Sequence, residues 1–188
     1  VQEGMAYRLL PIQKPQNMRE MVNTETMYDN VMNKMQFRGL DDPSANLNED
    51  YRGFVQNHRS ALSTLVDGLL LEGDTTRAKE VLDFGMERMP VEAVPYDVST
   101  IGFVEGYFNV GEDQTATRMA MEMAEQFNSE LTYLQNKMRY DFSFTAKSRG
   151  LRYLQLVLEQ FGKTEEAQKV GEMLTEQQVR MEIDRSNF

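Results

Sequence analysis

The residues of this chain that could carry chemistry are few, and their types and spacing argue against the common catalytic sites. His58 is the only histidine and cysteine is absent, which removes thiol catalysis, thiolate metal sites and histidine-pair metal sites together. No nucleophile-elbow sequence accompanies His58. We therefore expect it to be a structural histidine, on a helix surface or held in a hydrogen bond.

Two short segments resemble ligand-binding loops but lack residues that such loops need. Residues 162–164 read Gly-Lys-Thr, the end of a phosphate-binding loop, yet Val157 stands where that loop requires its first glycine. Segment 42–53 alternates oxygen-bearing side chains as a calcium loop does. Its sixth and twelfth residues, however, are Leu47 and Gly53 rather than glycine and glutamate. We predict a helix–helix turn at the first segment and a capped, solvated loop at the second.

Acidic residues are abundant: 30 aspartates and glutamates stand against 20 lysines and arginines, and the formal net charge is −10. Most fall at helix caps and polar faces, as Glu165 and Glu166 do at a helix start where the dipole favours them. No pair of carboxylates stands out by its position as a catalytic pair. The acidic balance and the lack of a basic block also argue against a nucleic-acid surface. We predict no catalytic residue, metal, cofactor or nucleic-acid partner.

The elements that would position any site are helices joined by glycine turns. Gly73, Gly111 and Gly162 each follow an apolar helical stretch, and an alanine stands five residues after each glycine. These alanines are Ala78, Ala116 and Ala167. A helix, a glycine turn and a second helix with a small residue at a fixed offset are typical of tetratricopeptide-like repeats. We predict an all-α fold of about three such hairpins in a right-handed α-solenoid, with the alanines buried.

Apolar spacing places the helices of this repeat domain, which we assign to residues 49–188. They are expected at 49–71, 75–89, 97–109, 115–140, 150–161 and 164–184. The intervals between the turn glycines are unequal and longer than the usual period of about 34 residues. We assign the excess to a long helix before residue 140 and a connection near 140–149.

Residues 1–48 differ from the repeat domain and form an extended segment, one helix and a polar loop. Alternation over residues 5–10 predicts a short strand, which Pro11 and Pro15 then end. Asn23 is expected to cap a first helix that ends at Arg38-Gly39. A polar loop up to Asn48 would follow, and Asn48 would cap the next helix.

Aromatic residues around the expected connection are the best indication of a binding surface. Two interpretations remain open: these rings pack the long helix against the third hairpin, or they face a partner. Aromatic and arginine side chains favour the centres of interfaces, which supports the second interpretation. The candidate partner surface consists of Tyr133, Arg139, Tyr140, Phe142, Phe144 and Arg149.

Five short motifs carry a resemblance to a known family. They are GMAYRL at 4–9, VNTETMYDN at 22–30, MNK at 32–34, FRGL at 37–40 and VPYD at 94–97. The chain resembles a family of large multi-spanning membrane proteins of Gram-negative bacteria. Members of that family are of unknown function and look like protein O-mannosyltransferase-type glycosyltransferases that use a lipid-linked sugar. Their equivalents of these motifs lie in a soluble C-terminal part, followed by tetratricopeptide-like helices.

The resemblance implies a periplasmic location for this chain, as the soluble part of an inner-membrane protein. The catalytic carboxylates of such transferases lie in loops of the membrane part, so none corresponds to a position here. The absence of an initiator methionine also indicates a piece of a longer protein or a processed product. The chain contains no run of about 18 apolar residues, so we expect no membrane span within it.

Together, these features predict a non-catalytic protein-interaction module. It would be the periplasmic tail of a membrane-embedded glycosyltransferase and would position an acceptor or partner protein. One alternative is a free-standing repeat scaffold that binds a peptide. A less favoured alternative is a self-contained enzyme that uses carboxylates.

Overall fold

The computed structural model describes residues 1–9, 21–45 and 49–186. Within these ranges the chain forms seven α-helices and no strand, so the predicted all-α class is confirmed. The helices are α1 (Thr24–Asp29), α2 (Glu49–Leu71), α3 (Thr75–Arg88), α4 (Ile101–Asn109), α5 (Asp113–Asn136), α6 (Phe142–Gln160) and α7 (Thr164–Ser186). A π-helical turn, Asn30–Lys34, continues α1, and a 3₁₀ turn, Val98–Thr100, precedes α4.

The chain divides into two compact units. The first holds Val1–Pro95 with Asn109–Gly111, and the second holds Tyr96–Phe108 and Glu112–Phe188. In the first unit α2 packs against α3 and α1 packs against α2. In the second unit α5, α6 and α7 pack against one another. The second unit therefore contains a three-helix core, and it holds the candidate partner surface.

The three glycine turns share one backbone geometry. Gly73, Gly111 and Gly162 have φ values of 79°, 83° and 71°, in the left-handed region that favours glycine. The residue after each glycine donates its N–H to the carbonyl five residues earlier, at 2.9, 2.9 and 2.8 Å. This hydrogen bond ends a helix in the Schellman motif. The alanines that follow these turns, Ala78, Ala116 and Ala167, are all buried as predicted.

A fourth turn of the same kind ends α5, with methionine in place of glycine. Met138 has a φ of 53°, and the next residue, Arg139, donates its N–H to the carbonyl of Leu134 at 2.9 Å. Helix α5 therefore ends at Asn136 instead of near residue 140, and α6 begins at Phe142 instead of near 150. The predicted connection over 140–149 is wrong, because most of it is helix. No glycine marks this turn in the sequence.

Met138→Gly is expected to stabilise the protein by about 1 kcal/mol. The left-handed conformation costs an L-residue about 1–2 kcal/mol, and the greater entropy of glycine in the unfolded chain offsets part of that gain. Urea unfolding followed by circular dichroism measures the change.

The matched control is Gly111→Ala, which places a side chain on the same turn geometry. A Cβ at Gly111 would meet nothing within 4 Å, so only the backbone conformation opposes it. We expect a loss of about 1 kcal/mol. If Met138→Gly also lowers the free energy of unfolding, the methionine side chain stabilises the fold by more than its left-handed backbone conformation destabilises it.

The predicted strand over residues 5–10 does not form in its described part. Residues 3–6 make a bend, and isolated bridges join Gln2 to Tyr7 and to Val22. Tyr7 and Leu9 are exposed, so the alternation does not mark a buried face. Leu10, Pro11 and Pro15 lie outside the described residues, so the chain break expected at the prolines stays a prediction.

Asn23 caps the first helix as predicted, since its Oδ1 accepts the N–H of Thr26 at 3.1 Å. Met27 and Val31 on that helix are buried. The π-helical turn ends at Lys34 because Met35 is extended, so the predicted end at Arg38-Gly39 is too late. Asn48, the predicted cap of the next helix, lies outside the described residues.

A buried arginine holds the segment that follows α3. The side chain of Arg59, on α2, is 1% exposed and donates hydrogen bonds to the backbone carbonyls of Val94, at 2.7 Å, and Pro95, at 3.0 Å. An arginine is almost never so fully buried unless its donors are used. Nothing in the local pattern of α2 distinguishes this arginine from its exposed neighbours.

Candidate partner-binding site

Large apolar side chains are exposed around the turn between α5 and α6. We call this group the aromatic tip, and it consists of Tyr133, Met138, Tyr140 and Phe142. Phe142, the first residue of α6, is 88% exposed, and Tyr133, near the end of α5, is 60% exposed. Four large apolar side chains within ten residues are thus exposed to solvent, although the same unit buries many others in its core.

Asp141 fixes where α6 begins and hence where the aromatic tip ends. Its side chain accepts the backbone N–H of Phe144 at 3.2 Å, as an N-cap does. Arg139 donates to the same carboxylate at 2.6 Å. The Arg139 guanidinium, together with the Phe144 N–H, holds the pKa of the Asp141 carboxyl below its usual value. The tip therefore sits on a helix start with a defined cap.

The two tyrosines of the tip contact neighbouring side chains outside it. The rings of Tyr140 and Phe144 meet edge to face with centroids 5.1 Å apart. The Lys137 ammonium lies 6.0 Å from the centre of the Tyr133 ring. These contacts order the side chains without covering them, because Tyr133 and Tyr140 remain exposed.

An open groove of about 1230 Å³ lies beside the tip, within the second unit. Its walls come from α6 and α7, with Leu131 of α5 contributing to the lining. Apolar side chains on the walls include Phe144 from α6 and Leu174 and Met181 from α7. A volume of this size lies above the usual range of sites for drug-sized molecules and suits a larger ligand.

A buried glutamine pair lies against this groove. Gln177, which lines the groove, is 5% exposed, and its Nε2 donates to Asn128 Oδ1 at 2.6 Å and to Thr132 Oγ1 at 2.9 Å. Gln135 Nε2 donates to the backbone carbonyl of Gln177 at 2.9 Å. The Oε1 atoms of both glutamines have no hydrogen-bond partner in the described part of the chain. Buried carbonyl oxygens are normally satisfied, so these two stand out, although both atoms are shielded from solvent.

Two arginines of α6 line the groove and have no carboxylate partner in the part of the chain that the structure describes. Arg149 is exposed and forms neither a hydrogen bond nor an ion pair with any residue in the described ranges. Arg152, one turn further along, donates to the Gln155 side chain at 2.6 Å and has no ion pair there either. The third arginine of the groove, Arg180, is paired with Glu176 at 2.6 Å. The α6 wall thus presents two exposed cationic side chains to the groove.

The six residues of the predicted partner surface divide between these two features. Phe144 and Arg149 line the groove. Tyr133, Tyr140 and Phe142 belong to the aromatic tip, and Arg139 is exposed beside them. Of the four rings, Phe144 is half-buried and the other three are exposed.

Sequence reasoning missed Arg152 and Gln177. Arg149 and Arg152 stand three residues apart and share a helix face. That pairing would have been visible had α6 been predicted from residue 142, but the expected start near 150 separated them. Gln177 carried no signal, because its importance depends on contacts with α5 that lie more than 40 positions away in the chain.

The other residues considered for chemistry have structural partners. The ring of His58 packs edge to face on Phe37 with centroids 5.4 Å apart. Its Nδ1–H donates to the backbone carbonyl of Phe54 at 2.7 Å. Asp42 accepts the backbone N–H of Ser44 at 2.8 Å, which closes a local turn in the polar loop.

The Gly-Lys-Thr segment forms the helix turn that the sequence predicted. Its first two backbone N–H groups donate to the carbonyls of Glu159 and Leu158, so they are not free to bind phosphate. The Lys163 ammonium pairs with Asp113 at 2.6 Å and lies over the Phe108 ring. The segment therefore has a structural role, because Lys163, which follows α6, contacts residues of α4 and α5.

With this geometry established, comparison with known proteins finds no matching family model, curated protein or solved structure. No helix among residues 1–9, 21–45 and 49–186 is long and apolar enough to cross a membrane. The same residues include no group of three histidine, cysteine, aspartate or glutamate side chains able to hold a metal ion.

Proposed function

We propose that this chain is a non-catalytic protein-interaction module and that the groove between α6 and α7 binds a segment of a partner protein. The observation that carries the proposal is the groove itself, which is open, has apolar side chains on both walls, and carries two arginines of α6 with no carboxylate partner in the described part of the chain. These features fit a polypeptide, which can present apolar side chains and carboxylates along one chain.

Apolar and basic side chains of the groove would make different contacts with the partner segment. Leu174 and Phe144 offer apolar contacts for the partner's side chains. Arg149 and Arg152 can pair with carboxylates, since guanidinium groups bind carboxylates with two parallel hydrogen bonds. A binding mode that combines these contacts selects a segment with both apolar and acidic residues.

The finer architecture and the setting belong to the same proposal. Three glycine turns of equal geometry, with buried alanines after them, support a tetratricopeptide-like arrangement of hairpins in a right-handed solenoid. The five sequence motifs support a role as the periplasmic tail of a membrane-embedded glycosyltransferase. There the module would hold an acceptor protein or partner subunit near the membrane active site. A free-standing scaffold would use the same groove.

A photo-crosslinking amino acid at Ser148, which lines the groove, tests the binding role. In the cells that make this protein, we expect a discrete crosslinked product from Ser148 and none from Glu87, an exposed control position on α3. Adding Arg149→Glu and Arg152→Glu should lower the yield at least about tenfold, because charge reversal opposes an acidic segment. Equal crosslinking from Ser148 and Glu87 would contradict a partner site in the groove.

A separate measurement tests the setting. If the chain is the tail of a membrane glycosyltransferase, the gene that encodes it also encodes about a dozen apolar helices upstream, each about 20 residues long. Reading the upstream coding sequence decides this point. An upstream region without such helices favours the free-standing scaffold and leaves the groove proposal intact.

A further inference from the structure

The turn that carries the aromatic tip holds a strained residue. Met138 adopts a left-handed conformation that Gly73, Gly111 and Gly162 adopt in the three turns of the same geometry. Glycine would fit this position with less strain. The Met138 side chain is exposed, so it does not offset the strain by packing in the core. Strained residues of this kind cluster at functional sites, which indicates that an apolar side chain at Met138 is used.

The exposed side chains around Met138 have a composition suited to a lipid interface. Phe142 and Met138 are apolar, while Tyr133 and Tyr140 combine an apolar ring with a polar hydroxyl. Aromatic side chains with one apolar and one polar end collect at the level of lipid headgroups. The tip stands on a turn between two helices, and only its neighbour Phe144 belongs to the groove.

Basic residues are concentrated at the same place. Residues 137–152 contain five lysines and arginines and one acidic residue, in a chain whose formal net charge is −10. Lys137 and Arg139 belong to the turn itself, where Arg139 pairs with Asp141 at 2.6 Å, and Lys147 on α6 pairs with Glu130 at 2.9 Å. The region near the tip is therefore complementary in charge to an anionic surface, unlike the chain as a whole.

From these observations we propose that the aromatic tip docks on a lipid surface with anionic headgroups. Phe142 and Met138 enter the boundary between headgroups and acyl chains, the two tyrosines lie at headgroup level, and Lys137 contacts lipid phosphates. This docking is independent of the groove proposed above. The contact area is small, so the tip orients a protein held nearby and is a weak anchor when it acts alone.

Co-flotation of the 188-residue chain with vesicles tests the proposal directly. Vesicles of equal parts phosphatidylcholine and phosphatidylglycerol should bind more protein than vesicles of phosphatidylcholine alone. Lys137→Gln should lower binding to the mixed vesicles about fivefold, the effect expected for one basic residue near an anionic surface. Phe142→Ser should lower it about tenfold or more, since it removes the largest inserted apolar group.

Two further variants separate lipid contact from fold. Phe54→Ser makes the same change at an exposed phenylalanine of α2 and should leave vesicle binding unchanged. Met138→Gly should weaken vesicle binding while stabilising the fold, a combination that loss of structure cannot produce.

Three results would each overturn the proposal. One is equal binding by Phe142→Ser and Phe54→Ser, and another is equal binding to the two kinds of vesicle. The third is a native chain that stays in the lipid-free fraction at every lipid concentration tested, as expected if the tip binds a protein instead. None of these results would bear on crosslinking from Ser148 in the groove.

Discussion

Arg59→Met is expected to lower the free energy of unfolding by about 2–3 kcal/mol. Methionine has an unbranched side chain that fills much of the same space, but it cannot donate a hydrogen bond. The carbonyls of Val94 and Pro95 would lose donors at 2.7 and 3.0 Å, and hydrogen bonds from charged groups contribute about 1.5–3 kcal/mol each. The gain from no longer burying a charge offsets part of that loss.

Urea unfolding of the native chain and the variant measures the difference. Arg88→Met is the matched control: Arg88 is exposed, and its guanidinium lies 5.2 Å from the centre of the Phe84 ring. We expect its effect to be about 0.5 kcal/mol or less. If both substitutions change stability equally, the buried hydrogen bonds of Arg59 do not hold the segment after α3.

Ala116→Leu should destabilise the second unit by about 1–3 kcal/mol. The Ala116 side chain, in the first turns of α5, has no solvent-exposed surface, so three added carbons must displace their neighbours. For a chain of this length, that loss corresponds to a fall in melting temperature of roughly 2–12 °C. Circular dichroism at increasing temperature measures it.

Gln114→Leu provides the control for this prediction. Gln114 stands two residues earlier on the same helix and is exposed, so a leucine there adds apolar surface without crowding. Its melting temperature should stay close to that of the native chain. An unchanged melting curve for Ala116→Leu would mean that the turn alanine lies in a site able to accommodate a larger side chain.

Local features of the helices were predictable because local chemistry decides them. A left-handed residue at a helix end strongly favours glycine, so Gly73, Gly111 and Gly162 identify their turns from the sequence alone. Asn23 identifies a helix start for a similar reason, since its side chain satisfies a backbone N–H that the helix leaves unpaired. These signals depend only on residues within one or two turns of each other.

The predictions were wrong where the local residue types gave no signal of the observed backbone conformation or favoured a different one. Met138 adopts the glycine conformation without being glycine, so the end of α5 and the start of α6 could not be placed. The alternation over residues 5–10 is typical of a strand, but a strand also needs partner strands. The described residues there form a bend and isolated bridges. In both places the observed backbone conformation differs from the one that the local residue types favour.

The amino-acid sequence by itself determined the all-α class, three of the turns and the buried alanines, because each follows from backbone conformation or side-chain size at known positions. The aromatic residues of the candidate surface were also visible in the sequence, although whether they face solvent was not. Only the tertiary structure determined their exposure. It also determined the existence of the groove, the burial of Arg59 and the pairing of Gln135 with Gln177, because each depends on which distant segments pack side by side.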